Sequence, residues 1–83
     1  MHYVYLLKSA VDHRLYVGCT DDLKNRFFRH NSGKVKSTKS YRPWILVYYE
    51  AYKEKPDATK REVQLKMHAV KNNLMKQIKE SLK

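Results

Sequence analysis

Residue types that suit the hydrolysis of a phosphodiester bond stand at four positions of this chain: Tyr5, Tyr16, Arg26 and Glu62. A tyrosine can act as a base only if its pKa falls below its ordinary value of about 10, and a nearby metal ion or arginine favours that change. An arginine can clamp a phosphate oxygen and offset the charge that develops in the transition state. Brought together, these side chains could therefore cut a nucleic-acid backbone.

Glu62 is informative because it lies in the apolar stripe of a predicted helix, together with Ala58, Leu65 and Ala69. A carboxylate in such a stripe is costly unless it is paired or binds a cation. Magnesium takes one or two carboxylates and keeps several waters, so one glutamate is enough for a metal site that acts on phosphate. The alternative is a structural salt bridge, to Lys66 or to an arginine at the edge of the core.

The other candidates also have plain structural alternatives. His30 follows Arg26 by one helical turn, so the two share a side of a helix. His30 can donate a hydrogen bond, orient a tyrosine or a water, or transfer a proton, but it can equally be a helix-end histidine bonded to the backbone. Arg26 can be a surface charge beside Phe27, and any tyrosine can be a sheet residue with a solvated hydroxyl. The remaining histidines lack the spacing of zinc ligands.

The net charge of +10 indicates a polyanionic partner, because 18 lysines and arginines face only 8 acidic residues. Nucleic acid is the partner that this balance favours, through steering and counterion release. No acidic residue lies between Leu23 and Tyr49. A solvated surface is the alternative. The residues predicted to bind nucleic acid are Arg26, Arg29, Lys34, Lys36, Lys39 and Arg42.

Length and composition predict one folded domain over residues 1–83, with 42% hydrophobic and 31% charged residues. Cys19 is the only cysteine, which excludes an intrachain disulfide and weakly indicates a reducing compartment. No apolar run approaches the roughly 20 residues of a membrane span, and the N-terminus has no signal-peptide pattern. We therefore expect a cytoplasmic protein with no membrane partner.

The N-terminal half predicts the elements that carry the tyrosines and the arginine. Residues 3–8 and 14–19 are typical of two strands of an antiparallel hairpin. Gly18 shares a face with Tyr16 and leaves room for a backbone or a phosphate to approach. A helix capped by Thr20 or Asp21 runs to about Asn31, where Asn-Ser-Gly ends it. Residues 34–42 form a basic loop.

The C-terminal half predicts a third strand and two helices. Residues 43–52 are apolar on both faces, which favours a central, covered strand. Pro56 and Asp57 begin a helix, residues 71–73 break it, and Leu74, Ile78 and Leu82 mark a final helix over residues 74–82. The order is ββαβαα, an α/β (α+β) fold with a small sheet flanked by helices.

The chain resembles the GIY-YIG nuclease family, in particular its small bacterial members that consist of little beyond the nuclease module. Tyr3-Val4-Tyr5 stands where Gly-Ile-Tyr is usual, and Tyr16-Val17-Gly18 where Tyr-Ile-Gly is usual. The helix with Arg26 and the later Glu62 follow at fitting distances, so the resemblance extends from Tyr3 to about Asn73. It implies a three-stranded sheet with flanking helices and metal-dependent phosphodiester hydrolysis.

The resemblance also implies a role for each candidate. Tyr16 would be the general base or would activate the attacking water, and Tyr5 would hydrogen-bond the phosphate or the nucleophile. Arg26 would stabilise the phosphate, and His30 matches a position that assists in some members. Glu62 would hold Mg²⁺ or Mn²⁺.

Three positions depart from the family pattern. Tyr3 replaces the first glycine, and Cys19 stands where larger members often carry a polar residue such as lysine. Asn72 and Asn73 lie near the usual place of an asparagine, without a clear match for either. Larger members add separate DNA-binding domains, so this chain would depend on weak specificity or on a protein partner for targeting.

The sequence thus predicts a divalent-metal-dependent endonuclease that acts on DNA. One alternative is a DNA- or RNA-binding module without catalysis on the same fold. The other is a protein-interaction module whose contact surface surrounds Tyr41, Trp44 and Tyr52.

Overall fold

The computed structural model describes residues 1–83 and contains one sheet of three antiparallel strands in the order β2-β1-β3. The elements are β1 (His2–Ser9), β2 (Leu15–Thr20), α1 (Leu23–Asn31), a 3-10 turn (Lys39–Tyr41), β3 (Trp44–Tyr52), α2 (Lys55–Leu65) and α3 (His68–Gln77). The predicted α+β class, the antiparallel hairpin of the first two strands and the order ββαβαα are confirmed.

Both faces of the sheet are covered, because β1 sends alternate side chains to opposite sides. Val4 and Leu6 join a cluster with the α2 residues Ala58 and Leu65. On the other face, β1 contributes a second cluster, against which Leu23 and Phe27 of α1 pack. Burial on both faces explains why β1 is a continuous apolar run.

The predicted central position of the third strand is wrong, since β1 pairs with both β2 and β3 and leaves β3 at an edge. Trp44 and Leu46 of β3 belong to the α1 side, whereas Val47 and Tyr48 pack on the α2 side. Apolar residues on both faces therefore report that the sheet is covered above and below. They do not specify the lateral position of a strand within it.

The predicted helix break at residues 71–73 is also wrong, because α2 ends at Leu65 and α3 already begins at His68. Met67 has extended backbone angles and separates the two helices. Asparagine costs only a few tenths of a kcal/mol in a helix, so α3 accommodates both asparagines. The turn at Met67 lets Leu65 and Leu74 enter the same cluster, and it leaves Ala69 exposed.

Helix α1 begins one residue later than predicted. Asp22 is its N-cap, and the Asp22 Oδ1 accepts the Asn25 amide at 3.1 Å. Thr20 instead accepts the Asp22 amide at 3.1 Å, in the turn before the helix. The predicted stop is confirmed, with Ser32 as C-cap and Gly33 at a φ of 77°. None of the three helices has the length and apolarity needed to cross a lipid bilayer.

Candidate active site

A buried row of hydrogen-bonded side chains forms one side of the site. The Tyr5 hydroxyl lies 2.7 Å from His30 Nε2, and His30 Nδ1 lies 2.8 Å from Thr38 Oγ1. Tyr5 and Thr38 are each 1% exposed and His30 is fully buried. The predicted alternative for His30, a bond to the backbone, is wrong, because both ring nitrogens face side chains.

Burial keeps this row uncharged at neutral pH. Desolvation raises the pKa of Tyr5 to about 12, although Arg26 acts in the opposite direction. Desolvation and then the charge of Arg26 lower the pKa of His30 to about 4. Both effects follow from the cost of placing a charge away from water.

Arg26 lies beside both candidate tyrosines. Its interaction with the Tyr5 hydroxyl, and more weakly with Tyr16, raises the pKa of the guanidinium. The Tyr16 ring lies 5.0 Å from the His30 ring and 6.3 Å from the Tyr5 ring, measured between centroids. Tyr16 is only partly buried, whereas Tyr5 is enclosed. The structure thus brings Tyr5, Tyr16, Arg26 and His30 into one cluster.

Gly18, the glycine of the second motif, makes room for the Tyr5 side chain. The prediction that a backbone or a phosphate approaches there, beside Tyr16, is wrong. Gly18 pairs with Tyr5 across the hairpin. A Cβ atom on Gly18 would lie 2.3 Å from the Tyr5 hydroxyl oxygen. The space that the missing side chain leaves is therefore filled from within the protein, by the phenol.

A cleft of about 500 Å³ opens beside this cluster, where α1 and α2 approach the end of β2. Arg26 lines it from α1, and Lys55 and Glu62 line it from α2. The Glu62 charge contributes, after the larger effect of burial, to the raised pKa values of Tyr5 and Cys19. The late glutamate therefore shares a cleft with Arg26, which belongs to the cluster of the N-terminal half.

Glu62 is held loosely. Its carboxylate lies 3.5 Å from Lys66 Nζ, and its side chain is 22% exposed. The predicted alternative, a salt bridge to Lys66, is thus present. An exposed pair of this kind contributes about 1 kcal/mol at most, so the carboxylate can exchange its partner for a cation.

Asp21 and Glu62 both line the cleft, and a donor set of one or two carboxylates fits a hard cation. No group of three or more His, Cys, Asp and Glu side chains surrounds a common point. Such an arrangement provides too few side-chain ligands of these types to saturate a cation. It matches magnesium, which keeps waters and takes further oxygens from a phosphate.

The basic residues predicted to bind nucleic acid have no acidic partners within the molecule. Arg26 is partly buried in the cleft, and the other five are exposed. None of the six lies within 4.0 Å of a carboxylate, because the four ion pairs of the molecule involve other cations. Their charges are therefore available to an external anion.

The aromatic surface expected for a protein partner is not exposed as such. Trp44 is 3% exposed and donates its indole N–H to the Thr38 carbonyl at 2.9 Å. Tyr52 donates to Glu50, which also binds Arg61 through two hydrogen bonds of 2.8 and 2.9 Å. Two of the three residues thus serve internal contacts.

Sequence reasoning missed Thr38 and Lys55. Thr38 lies in a polar loop without a helical or strand period, so nothing in the pattern predicts its burial. Lys55 precedes the proline that opens α2, and only the fold brings it to the cleft with Cys19. Asn72 and Asn73 are exposed on α3 and do not line this cleft.

Asn31 is a further residue whose role only the structure defines. Its side-chain amide donates to the Trp44 carbonyl at 3.0 Å and accepts the Trp44 amide at 2.6 Å. These two bonds fasten the end of α1 to the first residue of β3. The helix that carries Arg26 and His30 is thereby fixed relative to the sheet.

Comparison with known proteins agrees with this arrangement. A family model described as the GIY-YIG catalytic domain matches residues 1–76. A UPF0213 protein of Staphylococcus haemolyticus is 44% identical over 66 residues, covering 78% of this chain and 79% of that protein. A UPF0213 protein of Staphylococcus epidermidis is 42% identical over 74 residues, covering 88% and 89%. The solution NMR structure of a UPF0213 protein from Bacillus halodurans aligns with a TM-score of 0.58 and 35% identity, covering 90% of this chain and 82% of that one.

Proposed function

Because the chain belongs to the GIY-YIG family, whose members are generally nucleases, we propose that it is a divalent-metal-dependent endonuclease that hydrolyses phosphodiester bonds in DNA. The proposal treats residues 1–83 as one catalytic domain. It also places the protein in the cytoplasm, in keeping with the free thiol of Cys19.

The observation that carries this proposal is the convergence of groups from separate parts of the chain on one cleft. Arg26 from α1 and Glu62 from α2 line the same cavity. Arg26 also adjoins Tyr5 and Tyr16 from the hairpin. A phosphate in the cleft would thus meet a cation and a carboxylate that can hold a metal, with the two phenols next to that cation.

The two tyrosines take different roles in the proposed reaction. Tyr16 is the general base, because it is partly exposed and adjoins Arg26, where the phosphate would bind. Tyr5 keeps its proton, because burial raises its pKa to about 12, and its oxygen accepts a hydrogen bond from the attacking water. His30 is neutral and supports Tyr5 from behind.

Arg26 and Glu62 supply the electrostatic part of the mechanism. Arg26 donates to a non-bridging phosphate oxygen and stabilises the charge that develops there. Glu62 would hold Mg²⁺ or Mn²⁺, which as a Lewis acid would neutralise phosphate charge and favour departure of the leaving oxygen. Arg26 and Glu62 thus position the phosphate and stabilise its charge, and the general base activates the attacking water.

Nucleic acid would be held through its backbone. The exposed side chains of Arg29, Lys34, Lys36, Lys39 and Arg42 carry no internal ion pairs. Backbone contacts fix register without reading sequence, so binding should be salt-sensitive and weakly specific. A protein partner that targets the enzyme is compatible with this mode of binding.

The test is a cleavage assay on single-stranded, duplex and branched DNA and on RNA, with Mg²⁺, with Mn²⁺ and with a chelator. Wild type is compared with Glu62→Ala and with Glu54→Ala, a matched change of an exposed carboxylate that does not line the cleft. We expect metal-dependent cutting of DNA that Glu62→Ala abolishes and Glu54→Ala retains. Intact substrates with every metal, together with metal-independent binding by all three proteins, would instead identify a binding module.

A further inference from the structure

Thr38 is a buried side chain that has no role in the proposed mechanism. It lies in the basic loop between the exposed residues Lys36 and Lys39, yet it is only 1% exposed. Its hydroxyl lies 2.8 Å from His30 Nδ1 and donates to the Val35 carbonyl at 3.3 Å. A loop hydroxyl is thus built into the interior, directly behind the histidine that contacts Tyr5.

The protons along this row can be counted. Tyr5 is 1% exposed, and the hydrogen-bond partner of its hydroxyl is His30 Nε2. The single Tyr5 proton then needs an acceptor, and His30 Nε2 lies at 2.7 Å. A neutral imidazole that accepts at Nε2 carries its own proton on Nδ1.

Thr38 continues the chain of hydrogen bonds, in which each group donates to the next from Tyr5 through His30 to Thr38. A proton on His30 Nδ1 requires an acceptor at Thr38 Oγ1, and this oxygen is free to accept because its own proton goes to Val35. In the opposite tautomer, His30 Nε2 would donate to Tyr5, and the buried Tyr5 proton would lose its acceptor. An unsatisfied buried donor is costly, so the two ends of the row select one arrangement.

We propose that Thr38 is a positioning residue that holds His30 in the Nδ1–H tautomer and thereby makes Tyr5 the phenol that keeps its proton. The inference rests on the proposed nuclease function for its catalytic consequence, but the tautomer is a property of the folded protein alone. Thr38 acts through His30 and touches neither substrate nor metal.

The consequence is that Tyr5 and Tyr16, whose rings lie 6.3 Å apart, have different roles. With Nε2 as a fixed acceptor, the Tyr5 O–H points inward and its oxygen lone pairs remain for Arg26 and for a donor in the cleft. Tyr16 is then the phenol left to give up its proton. The basic loop that would hold DNA thus also carries the hydroxyl that orients the site.

The decisive measurement is the tautomer of His30, read from the two ring ¹⁵N chemical shifts and their couplings to the ring protons by NMR. The exposed residues His13 and His68 serve as internal references. We expect a protonated Nδ1 and an unprotonated Nε2 for His30 in the wild-type protein at neutral pH. A protonated Nε2 would overturn the proposal, and this outcome requires no variant.

Two variants then test Thr38 itself. Thr38→Val keeps the shape but removes the acceptor, so we expect the Nδ1–H signature to give way to a tautomer mixture. Thr38→Ser keeps the hydroxyl and should restore it. Ser40→Ala, an exposed hydroxyl change in the same loop, is the matched control. Retention of the wild-type tautomer by folded Thr38→Val would contradict the role of Thr38.

Cleavage provides the second readout. Loss of the residue that orients a metal-binding side chain typically lowers activity 10- to 100-fold, and Thr38 stands in the corresponding position behind His30. We expect Thr38→Val to lower kcat about tenfold with little change in KM, and Thr38→Ser to recover it. If no variant or wild type cuts DNA, the nuclease function fails while the NMR result still decides whether Thr38 sets the tautomer.

Discussion

The two helices that flank the cleft hold their polar side chains in opposite ways. On the α1 side, Tyr5, His30 and Thr38 form a closed row of hydrogen bonds at 2.7 and 2.8 Å, away from water. On the α2 side, Glu62 has one loose contact at 3.5 Å, and Lys55 is exposed without an ion pair. The polar groups on the α1 side are satisfied by hydrogen bonds within the protein, whereas those on the α2 side are free to bind a ligand.

This difference separates preorganisation from ligand binding. Groups that act on a reacting bond are most effective when their partners are fixed before the substrate arrives. Groups that recruit a metal or a phosphate must be able to give up their present contacts. The comparison therefore predicts that changes on the α1 side disturb chemistry and folding together, whereas changes on the α2 side disturb binding or metal use and leave the fold intact.

The largest effect on cleavage should come from removing the hydroxyl of either tyrosine by substitution with phenylalanine. Tyr16→Phe removes the proposed base and should lower the cleavage rate by at least about 10²-fold with little change in stability. Tyr5→Phe leaves His30 Nε2 without its partner and should cost about 1–3 kcal/mol of unfolding free energy. Single-turnover cleavage and urea unfolding of both variants separate these effects. Equal rates for Tyr16→Phe and wild type would remove Tyr16 from the mechanism.

Gly18→Ala tests how tightly the α1 side is packed. The added Cβ would lie 2.3 Å from the Tyr5 hydroxyl oxygen, so the phenol must move or the strands must separate. We expect a destabilisation of about 2 kcal/mol, typical of overpacking, together with a loss of cleavage. Thermal unfolding measures it, with Ala51→Ser as a control at an exposed strand position. A neutral effect would show that Tyr5 has more freedom than its burial indicates.

The α1 side should also give a distinct pH dependence of stability. Because the folded-state pKa of His30 is about 4 and the ordinary value is 6.5, the unfolded chain binds a proton first as pH falls. Stability from this residue is therefore full above pH 6.5 and is lost as pH falls toward 4, about 3 kcal/mol in all. His30→Gln should remove this slope, and His13→Gln should retain it, in urea unfolding curves collected across the window.

Lys55→Ala should give the smallest effect, confined to binding. Loss of one phosphate contact should reduce the slope of log affinity against log salt by about 1 and weaken binding a few-fold at moderate salt. Lys60→Ala, an exposed lysine of the same helix that does not line the cleft, is the matched control. Identical salt slopes for both variants would place the phosphate path elsewhere.

The sequence predicts the order of elements because turns and caps are local. Gly33 ends α1 where the Asn-Ser-Gly pattern indicates, and the two short strands form the expected hairpin. The lateral order of strands is not local, since the apolar character of β3 reflects cover on both faces and β1 is equally apolar. The break before α3 was missed for a related reason, because packing of Leu74 against the sheet outweighs weak asparagine preferences.

In the candidate site too, the sequence predicts the local features and does not predict those that depend on the tertiary fold. Motif spacing is sufficient to select Tyr5, Tyr16, Arg26 and Glu62. The fold places Arg26 and Glu62 in one cleft and both tyrosines beside Arg26. Motif spacing gives no information on which tyrosine is enclosed, since that depends on Gly18 across the hairpin. It also gives none on Thr38, whose burial is created by a loop folding back on α1.

The contact between Asn31 and Trp44 has a consequence for how the loop between them can vary. Its two hydrogen bonds, at 2.6 and 3.0 Å, close residues 32–43 at the neck. With the neck closed, lengthening a flexible loop costs only about 0.6 kcal/mol for each doubling of its length. The junction of Lys34 and Val35 is then a place where insertions could supply new DNA contacts, while the turn from Val35 to Thr38 and the neck keep the chemistry unchanged. Substrate range and catalytic geometry can thus diversify independently within one small fold.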